Sequence, residues 1–527
     1  MNTSGHSHSC GCACCALPII NQGTGPGVTR RRFVSTVGAL TAGGLALHYF
    51  RPRVLAQETP ILRRPRLVHP LRVQPVLTYS VPKRREATSW REWGGIQTEA
   101  DAAAEKERIT GELAKIKETA DYPLELLPLR TVQTTEEASA VAHAEHDVLL
   151  LYAAGGSGRI LEAMTAPEKW TVMFLRHDPG PVYLWYEIVH PRFLRKTVDE
   201  FGQPGFEVQD VVVDSQADLT WRFRGLAGLK NALGKRIVTV GGASGWGAGG
   251  QKAPRISREL WKMELVDYPY AKLGPRIERA MENDTLVSRC EARAGQYLNE
   301  AGVKLQTTRQ FVNNAFVLCE VLKDVMDEAE TDAITINSCM GTIMPMSKTT
   351  ACLPLSLLND DGYLAFCESD FVVIPSGVLL HYISGKPVFL NDPTYPHDGV
   401  VTLAHCTAPR KMDGKNCEPA KILTHFESDY GAAPKVEMRV GQAVTNLIPD
   451  FDCKKWVGFD GTITGNPFLD ICRSQIDVRI EGSTSELLRE MKGFHWMTSY
   501  GSYLREASYA LQKLGIDFLN LSAPKTT

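Results

Sequence analysis

LAFCESDFVVIPSGVLLHYISGKPVFLNDP, residues Leu364–Pro393, is the stretch from which the fold of this chain is predicted. A short apolar strand, Tyr363–Cys367, leads directly into two carboxylates, Glu368 and Asp370. An apolar helical run and a second strand, Pro387–Leu390, follow. Strand, acids, helix and strand are typical of a βαβ unit in an α/β domain, where ligands bind at the carboxyl ends of the strands. We therefore expect the two acids to lie at a polar site.

The acidic pair itself suggests a cation. Two carboxylates on either side of Ser369 repel each other unless a cation, a proton or a strong donor lies between them. A divalent metal site is the prediction that follows. The alternative is that Glu368 and Asp370 only cap the next helix, because acidic side chains suit a helix N-terminus.

Further candidate ligands occur later in the chain. Asp392 follows the strand Pro387–Leu390, and His405 ends the apolar strand in TLAHC, residues 402–406. His495 lies in the glycine- and aromatic-rich segment GFHW, residues 493–496. Acids combined with one or two imidazoles suit Mn²⁺, Fe²⁺ or Zn²⁺. Each His taken alone is more typical of an ordinary core or surface residue, so the prediction depends on the whole set.

Four segments together resemble the L-fucose isomerase-like family, which includes arabinose isomerase relatives. They are CESD (367–370), GKPVFLNDP (385–393), AHC (404–406) and GFHWMTSYGSYLREASYALQKLGI (493–516), and the resemblance is clearest over residues 330–520. It implies an α/β fold with two Rossmann-like domains followed by a C-terminal β-barrel-like domain. The implied activity is aldose–ketose isomerisation, with Mn²⁺ as the expected cofactor, and a homo-oligomer is expected.

The resemblance also implies roles for particular residues. By resemblance, Asp370 and His495 would hold the metal. From the sequence itself we expect Glu368 and Asp370 to be the catalytic residues, with Glu368 as a ligand or the base, and His405 and Asp392 to contact the sugar. Isomerisation through an enediol needs a base and a polarising group. The family takes a second acid from an upstream strand, but residues 333–359 here contain no Asp or Glu. A non-catalytic sugar-binding protein, or another carbohydrate-active enzyme, is therefore the alternative.

Two upstream segments suggest sugar contacts. Arg176 ends the predicted strand Thr171–Leu175, and Trp185 lies in the aromatic and charged segment PVYLWYEIVHPRFLR, residues 181–195. Aromatic faces beside charged hydrogen-bonding groups are what a carbohydrate site needs. The aromatic residues could equally anchor a helix to the sheet. A glycine-rich run at residues 241–250 is either a backbone contact for a ligand or a simple loop at a strand end.

The N-terminus predicts export. Thr29–Val34 reads TRRRFV, a twin-arginine motif, and is followed by a Gly/Ala-rich run and by Val54–Ala56 as a cleavage site. We expect the twin-arginine translocase as a transient partner and a periplasmic or extracytoplasmic location. Because this route carries folded proteins, a weakly bound metal such as Mn²⁺ can be loaded before export.

Composition and charge fit a protein of several domains that binds a small molecule. The chain has 527 residues and is 43% apolar, and residues 1–56 hold five Arg and no acid, which leaves 53 basic and 60 acidic residues in the remainder. This balance gives no reason to expect nucleic acid. The predicted division is a signal peptide with a Cys/His-rich leader (1–56), a Pro/Arg-rich arm and surface helix (57–120), an N-terminal α/β domain (121–255), a central α/β domain (256–395) and a β-rich domain (396–522).

Overall fold

The computed structural model describes residues 68–91, 95–155, 158–178, 183 and 206–522. All of them belong to one compact unit, Pro65–Thr527. This unit is a mixed α/β structure with parallel sheets and a closed six-stranded β-barrel near the C-terminus. The predicted α/β class and C-terminal barrel are confirmed at this level. The predicted signal segment and Trp185 lie outside the described residues.

The first sheet is entirely parallel, with the order β2-β1-β4-β5-β6 and β3 also paired to β1. Its strands are β1 (Leu71–Thr78), β2 (Leu124–Leu126), β3 (Arg130–Val132), β4 (Val148–Ala153), β5 (Trp170–Leu175) and β6 (Val211–Val213). Every residue of β4, VLLLYA, is buried, as expected for a parallel strand covered on both faces. The prediction of an extended arm does not hold for β1, which is an inner strand of this sheet.

Helices cover the first sheet. They are α1 (Glu99–Thr119), α2 (Thr135–Ala142), α3 (Gly158–Met164) and α4 (Gln216–Ala232). The predicted helix near residues 98–120 forms as α1. Its start is fixed by a capping box, in which the Asp101 amide donates to Thr98 Oγ1 at 3.1 Å and Asp101 Oδ2 accepts from the Thr98 amide at 2.9 Å.

The second sheet is also parallel, with the order β11-β10-β7-β8. Strands in this part of the chain are β7 (Arg236–Val240), β8 (Glu264–Tyr268), β9 (Val303–Leu305), β10 (Ala333–Ile336) and β11 (Leu364–Cys367), and β9 pairs elsewhere. The helices are α5 (Gly247–Gly250), α6 (Ala253–Glu259), α7 (Tyr270–Met281), α8 (Asp284–Leu298), α9 (Arg309–Glu328), α10 (Cys339–Ser347), α11 (Cys352–Asp360) and α12 (Ile374–Ser384). Strand β7 belongs to this sheet, whereas the predicted division at residue 255 groups it with the strands of the first sheet. Buried parallel strands of the two sheets have similar sequences, so only the pairing of β7 with β8 and β10 shows which sheet contains it.

The barrel closes in the order β16-β19-β12-β13-β18-β17, with β17 paired back to β16. Its region contains β12 (Phe389–Pro393), β13 (Val400–His405), β14 (Ala420–His425), β15 (Tyr430–Val436), β16 (Ala443–Ile448), β17 (Lys455–Gly465), β18 (Ser474–Ile480), β19 (Trp496–Tyr500) and β20 (Asp517–Asn520), with helices α13 (Thr484–Glu490) and α14 (Leu504–Gln512). Strands β14 and β15 form a separate sheet with β9, and β20 pairs with β17.

Strand β12 does not complete the predicted βαβ unit. The second strand of that pattern forms as β12, but it pairs antiparallel with β13 and β19 of the barrel rather than parallel to β11. Helix α12 is buried along its length, and its residues share a core with Phe366 of β11 and Met497 of β19. The carboxyl end of β11 is therefore held against the barrel strands β12, β13 and β19.

Candidate metal centre

The candidate centre forms where the carboxyl end of β11 meets the barrel. Glu368 and Asp370 follow β11, Asp392 lies in β12, His405 ends β13, and His495 immediately precedes β19. Five of the residues predicted from the sequence are thus brought together from four separate elements. Four of the five side chains leave less than a fifth of their surface exposed, and that of Asp392 is 21% exposed.

The turn after β11 has an unusual backbone. Glu368 and Ser369 have φ angles of 63° and 51°, in the left-handed region that non-glycine residues rarely adopt. Such conformations cost about 1–3 kcal/mol each and persist only where the surroundings enforce them. Because Glu368 and Ser369 both adopt this conformation, one short turn brings the Glu368 and Asp370 side chains next to His495.

The glycine-rich run after β7 enforces this turn. The Ser244 amide donates to the Ser369 carbonyl at 3.2 Å, and the Phe371 amide donates to the Ser244 carbonyl at 3.0 Å. The Ser244 hydroxyl also donates to the Ser369 carbonyl at 3.2 Å. The run therefore acts as a backbone partner of the Glu368–Asp370 turn, a role that the sequence pattern did not predict.

Asp370 is bonded to protein groups through both of its carboxylate oxygens. Its Oδ1 accepts from the amides of Trp246 at 3.1 Å and Val372 at 3.0 Å. Its Oδ2 lies 2.7 Å from His495 Nδ1. Both oxygens are thus engaged, which differs from the expectation that Asp370 binds the metal directly. The arrangement is instead that of a carboxylate that orients a metal-binding imidazole.

His495 directs its other nitrogen into the acidic cluster. Its Nε2 lies 3.2 Å from Asp392 Oδ1 and 3.4 Å from Glu368 Oε2, and the ring is fully buried. Although these distances are short, neither His495 Nε2 nor Asp392 Oδ1 makes an aligned hydrogen bond within the described chain. Buried polar atoms are nearly always bonded, so two such atoms facing each other are a place where a water molecule or a cation would bind.

His405 completes the cluster from the barrel side. Its Nδ1 lies 3.1 Å from Thr407 Oγ1, and its Nε2 lies 3.9 Å from Glu368 Oε1. His405 Nε2 also lacks a hydrogen bond within the described residues. Asp392, His405 and His495 each offer one atom within 4.8 Å of the others, a spacing that a single metal ion can span.

Burial and charge set the protonation states when no cation is bound. Burial, followed by the negative charges of Glu368 and Asp370, raises the pKa of Asp392 to about 7, against the lowering effect of His495. Burial alone would lower the pKa of His495, but the bond to Asp370 and the nearby charges raise it well above its usual value. Burial lowers the pKa of His405 to about 4, so that imidazole is neutral at pH 7.

Two predicted sugar contacts are not part of this cluster. Arg176 is buried at the end of β5, where Nε donates to Glu105 at 2.8 Å and the two terminal nitrogens donate to Glu112 at 3.1 and 3.0 Å. Its side chain is therefore committed to ion pairs within the first α/β region, and the prediction of a sugar contact is not supported. Trp185 lies outside the described residues.

Two aromatic residues and a further histidine also lie beside the centre. Trp246, within the glycine-rich run, and Phe494, which precedes His495, stack with ring centroids 4.4 Å apart. His425 is buried near Glu368 and His405, and burial lowers its pKa to about 4. The glycine-rich run follows β7 and the Glu368–Asp370 turn follows β11. Because β7 and β11 are parallel strands of one sheet, the two segments lie at the same edge of that sheet.

No family model matches this chain, and no curated protein is significantly similar to it. Among the described residues, no helix combines the length and apolar character needed to span a membrane.

Proposed function

We propose that this protein is an exported, metal-dependent carbohydrate isomerase-like enzyme that interconverts an aldose and a ketose through an enediol. One observation supports it above the others: Asp392, His405 and His495 each offer one ligand atom, the three atoms lie within 4.8 Å of one another, and both imidazoles lie beside Glu368. Imidazole and carboxylate donors fit a divalent ion, with Mn²⁺ favoured by the resemblance to the L-fucose isomerase-like family.

In this proposal, Glu368 and His495 hold the metal and Asp370 fixes the ring of His495. A bound cation would polarise the carbonyl and hydroxyl oxygens of the sugar. Asp392 is the base, because its carboxylate lies 3.2 Å from His495 Nε2, beside the position that the metal would take. His405 contacts the substrate or contributes a further ligand.

Metal content and turnover test this proposal together. Mature protein from Gln57 onward, purified without chelator, should carry about one Mn²⁺ per chain at this centre, and aldoses should be converted to ketoses. His495→Gln should lose the metal, whereas Asp398→Asn, at a side chain 97% exposed, should keep it. Folded wild-type protein that takes up no Mn²⁺ would refute the metal-dependent function.

The alternative is a sugar-binding protein without catalysis. It is favoured by the lack of acidic residues over 333–359, where β10 ends at Ile336 and is followed by Asn337 and Ser338. Asp392→Asn separates the two functions. An enzyme loses turnover in this variant while sugar binding persists, whereas a binding protein shows no turnover even in the wild type. Cleavage of glycosides instead of isomerisation would indicate another carbohydrate-active enzyme.

The remaining features of the proposal concern organisation and location. We infer that the two parallel sheets form separate Rossmann-like domains, since each has its first strand inside the sheet and helices connect several of its parallel strands, among them β1 to β2, β4 to β5, β7 to β8 and β10 to β11. Export by the twin-arginine route and a homo-oligomeric state complete the proposal. Replacement of Arg31 and Arg32 by Lys should retain the protein in the cytoplasm on cell fractionation.

A further inference from the structure

A second group of donors adjoins the proposed centre. Cys367, Glu368 and His405 each offer one ligand atom, and the three atoms lie within 4.8 Å of one another. Cys367 is the last residue of β11, and its side chain is 5% exposed. A thiol, a carboxylate and an imidazole form a donor set that differs chemically from the oxygen-rich set around His495.

Glu368 connects the two groups. Its Oε2 lies 3.4 Å from His495 Nε2, and its Oε1 lies 3.9 Å from His405 Nε2. The two oxygens of one carboxylate are therefore directed at two different imidazoles, whose ring centroids are 6.0 Å apart. This is the placement of a carboxylate that bridges two cations, which lie about 3.5–4 Å apart in two-metal sites.

His405 is arranged as a ligand on the Glu368 side. When its Nδ1 donates to Thr407 Oγ1, 3.1 Å away, the Nε2 lone pair is left for a cation. A hydrogen bond from the second ring nitrogen is the usual means of orienting a metal-binding His. Nε2 is buried and makes no hydrogen bond within the described chain.

The sulfur atom of Cys367 lies next to the sulfur atom of a second buried cysteine, Cys339. Cys339 Sγ lies 3.7 Å from Cys367 Sγ, and Cys339, at the start of α10, is 3% exposed. The contact with Cys339, together with burial, raises the pKa of the Cys367 thiol, so the thiol keeps its proton until a cation displaces it. On cation binding, the Cys367 S–H bond breaks, a metal–sulfur bond forms, and the proton passes to solvent.

We propose that Cys367, Glu368 and His405 form a second metal position, bridged to the first by Glu368 and selective for a zinc-like ion. A thiolate ligand favours softer cations than Mn²⁺, whereas the first position offers only oxygen and nitrogen donors. The two positions thus take different metals. This inference rests on the proposed function through the shared ligand Glu368, and it assigns His405 to the second position rather than to the first.

Cobalt is the probe that tests it, because Co²⁺ bound to a thiolate gives a sulfur charge-transfer band. Mature wild-type protein should bind two Co²⁺ per chain and show that band. Cys367→Ser should bind one Co²⁺ and lose the band. Cys319→Ser, at a buried thiol within α9, is the matched control and should behave as the wild type.

The outcomes separate the two proposals. One Co²⁺ per chain without a sulfur band would overturn the second position and leave the proposed function standing. No bound Co²⁺ in folded protein would overturn both. A sulfur band that persists in Cys367→Ser would overturn the assignment to Cys367. If that variant does not fold, the stoichiometry and the band of the wild type still decide.

Discussion

Asp370 and His495 are separated by 125 residues of chain, yet Asp370 Oδ2 and His495 Nδ1 lie 2.7 Å apart in a fully buried contact. The contact joins the turn after β11 to the segment before β19. It directs His495 Nδ1 to donate its proton to Asp370, and it directs His495 Nε2 toward Asp392 and Glu368. The chemistry of the centre therefore depends on Asp370, although both of its carboxylate oxygens are bonded to protein groups.

Asp370→Asn should weaken metal binding by about 10–100-fold, the usual effect of losing such an orienting carboxylate. The amide can still accept from the Trp246 and Val372 amides, but its NH₂ group faces His495 Nδ1. That nitrogen must then accept, and the proton moves to Nε2, where it blocks a cation. Titration calorimetry with Mn²⁺ measures the loss, and unchanged affinity would show that Asp370 only caps the turn. Asp398→Asn is the matched control.

Metal-free protein should lose stability as the pH falls from 6.5 to 4. Burial lowers the pKa of His146, His381, His405 and His425 from 6.5 to about 4. Between pH 6.5 and pH 4, these histidines bind protons in the unfolded chain but not in the folded chain. The free energy of unfolding therefore decreases by up to about 1.4 kcal/mol per pH unit for each His as the pH falls.

Thermal unfolding in chelator across this pH range tests the effect of the histidines. His425→Gln should show a shallower loss than the wild type, because one buried titrating ring is removed. His143→Gln, at an exposed ring, should match the wild type. Equal slopes in all three proteins would mean that His425 does not titrate in this range.

Asp392→Asn should stabilise the metal-free protein, and more so at pH 8 than at pH 5. Burial raises the pKa of Asp392 from 3.8 to about 7. Between these values the unfolded chain releases a proton that the folded chain retains, so wild-type stability falls as the pH rises through this window. The amide variant has no such loss. Denaturant melts at both pH values measure the difference, and an equal gain at both would contradict the raised pKa.

Gly228→Ala should destabilise the protein by about 1–3 kcal/mol, the usual cost of overpacking. Gly228 lies in α4 where it meets α12, and an added Cβ would overlap Ile383 Cγ1 and lie 3.2 Å from the Ile383 backbone nitrogen. Gly111 in α1 has nothing within 4 Å of an added Cβ. Gly111→Ala should therefore stabilise by about 0.5–1 kcal/mol through helix propensity alone. Chemical denaturation of both variants checks the sign of each effect.

Local sequence patterns predicted many elements well. The strand predicted at residues 171–175 forms as Trp170–Leu175, and that at 236–240 forms with the same bounds. Such runs are apolar and bounded by turn residues, so the pattern is sufficient. The same patterns failed for Leu71–Thr78, because Pro and Arg around it suggested an extended arm, whereas its place inside a sheet comes from pairing with β2, β3 and β4.

The sequence by itself determined which residue types could form the centre, because acids and imidazoles at strand ends are visible without a structure. It did not determine their roles. Whether Asp370 binds a cation or orients His495, and whether Arg176 meets a sugar or two glutamates, depends on atoms brought together from distant segments. Only the tertiary structure decides these, because the direction of a side chain and the partner of each oxygen depend on which strands pair. Strand β12 shows the same limit, since its apolar sequence fits either sheet and pairing with β13 and β19 places Asp392 beside His495.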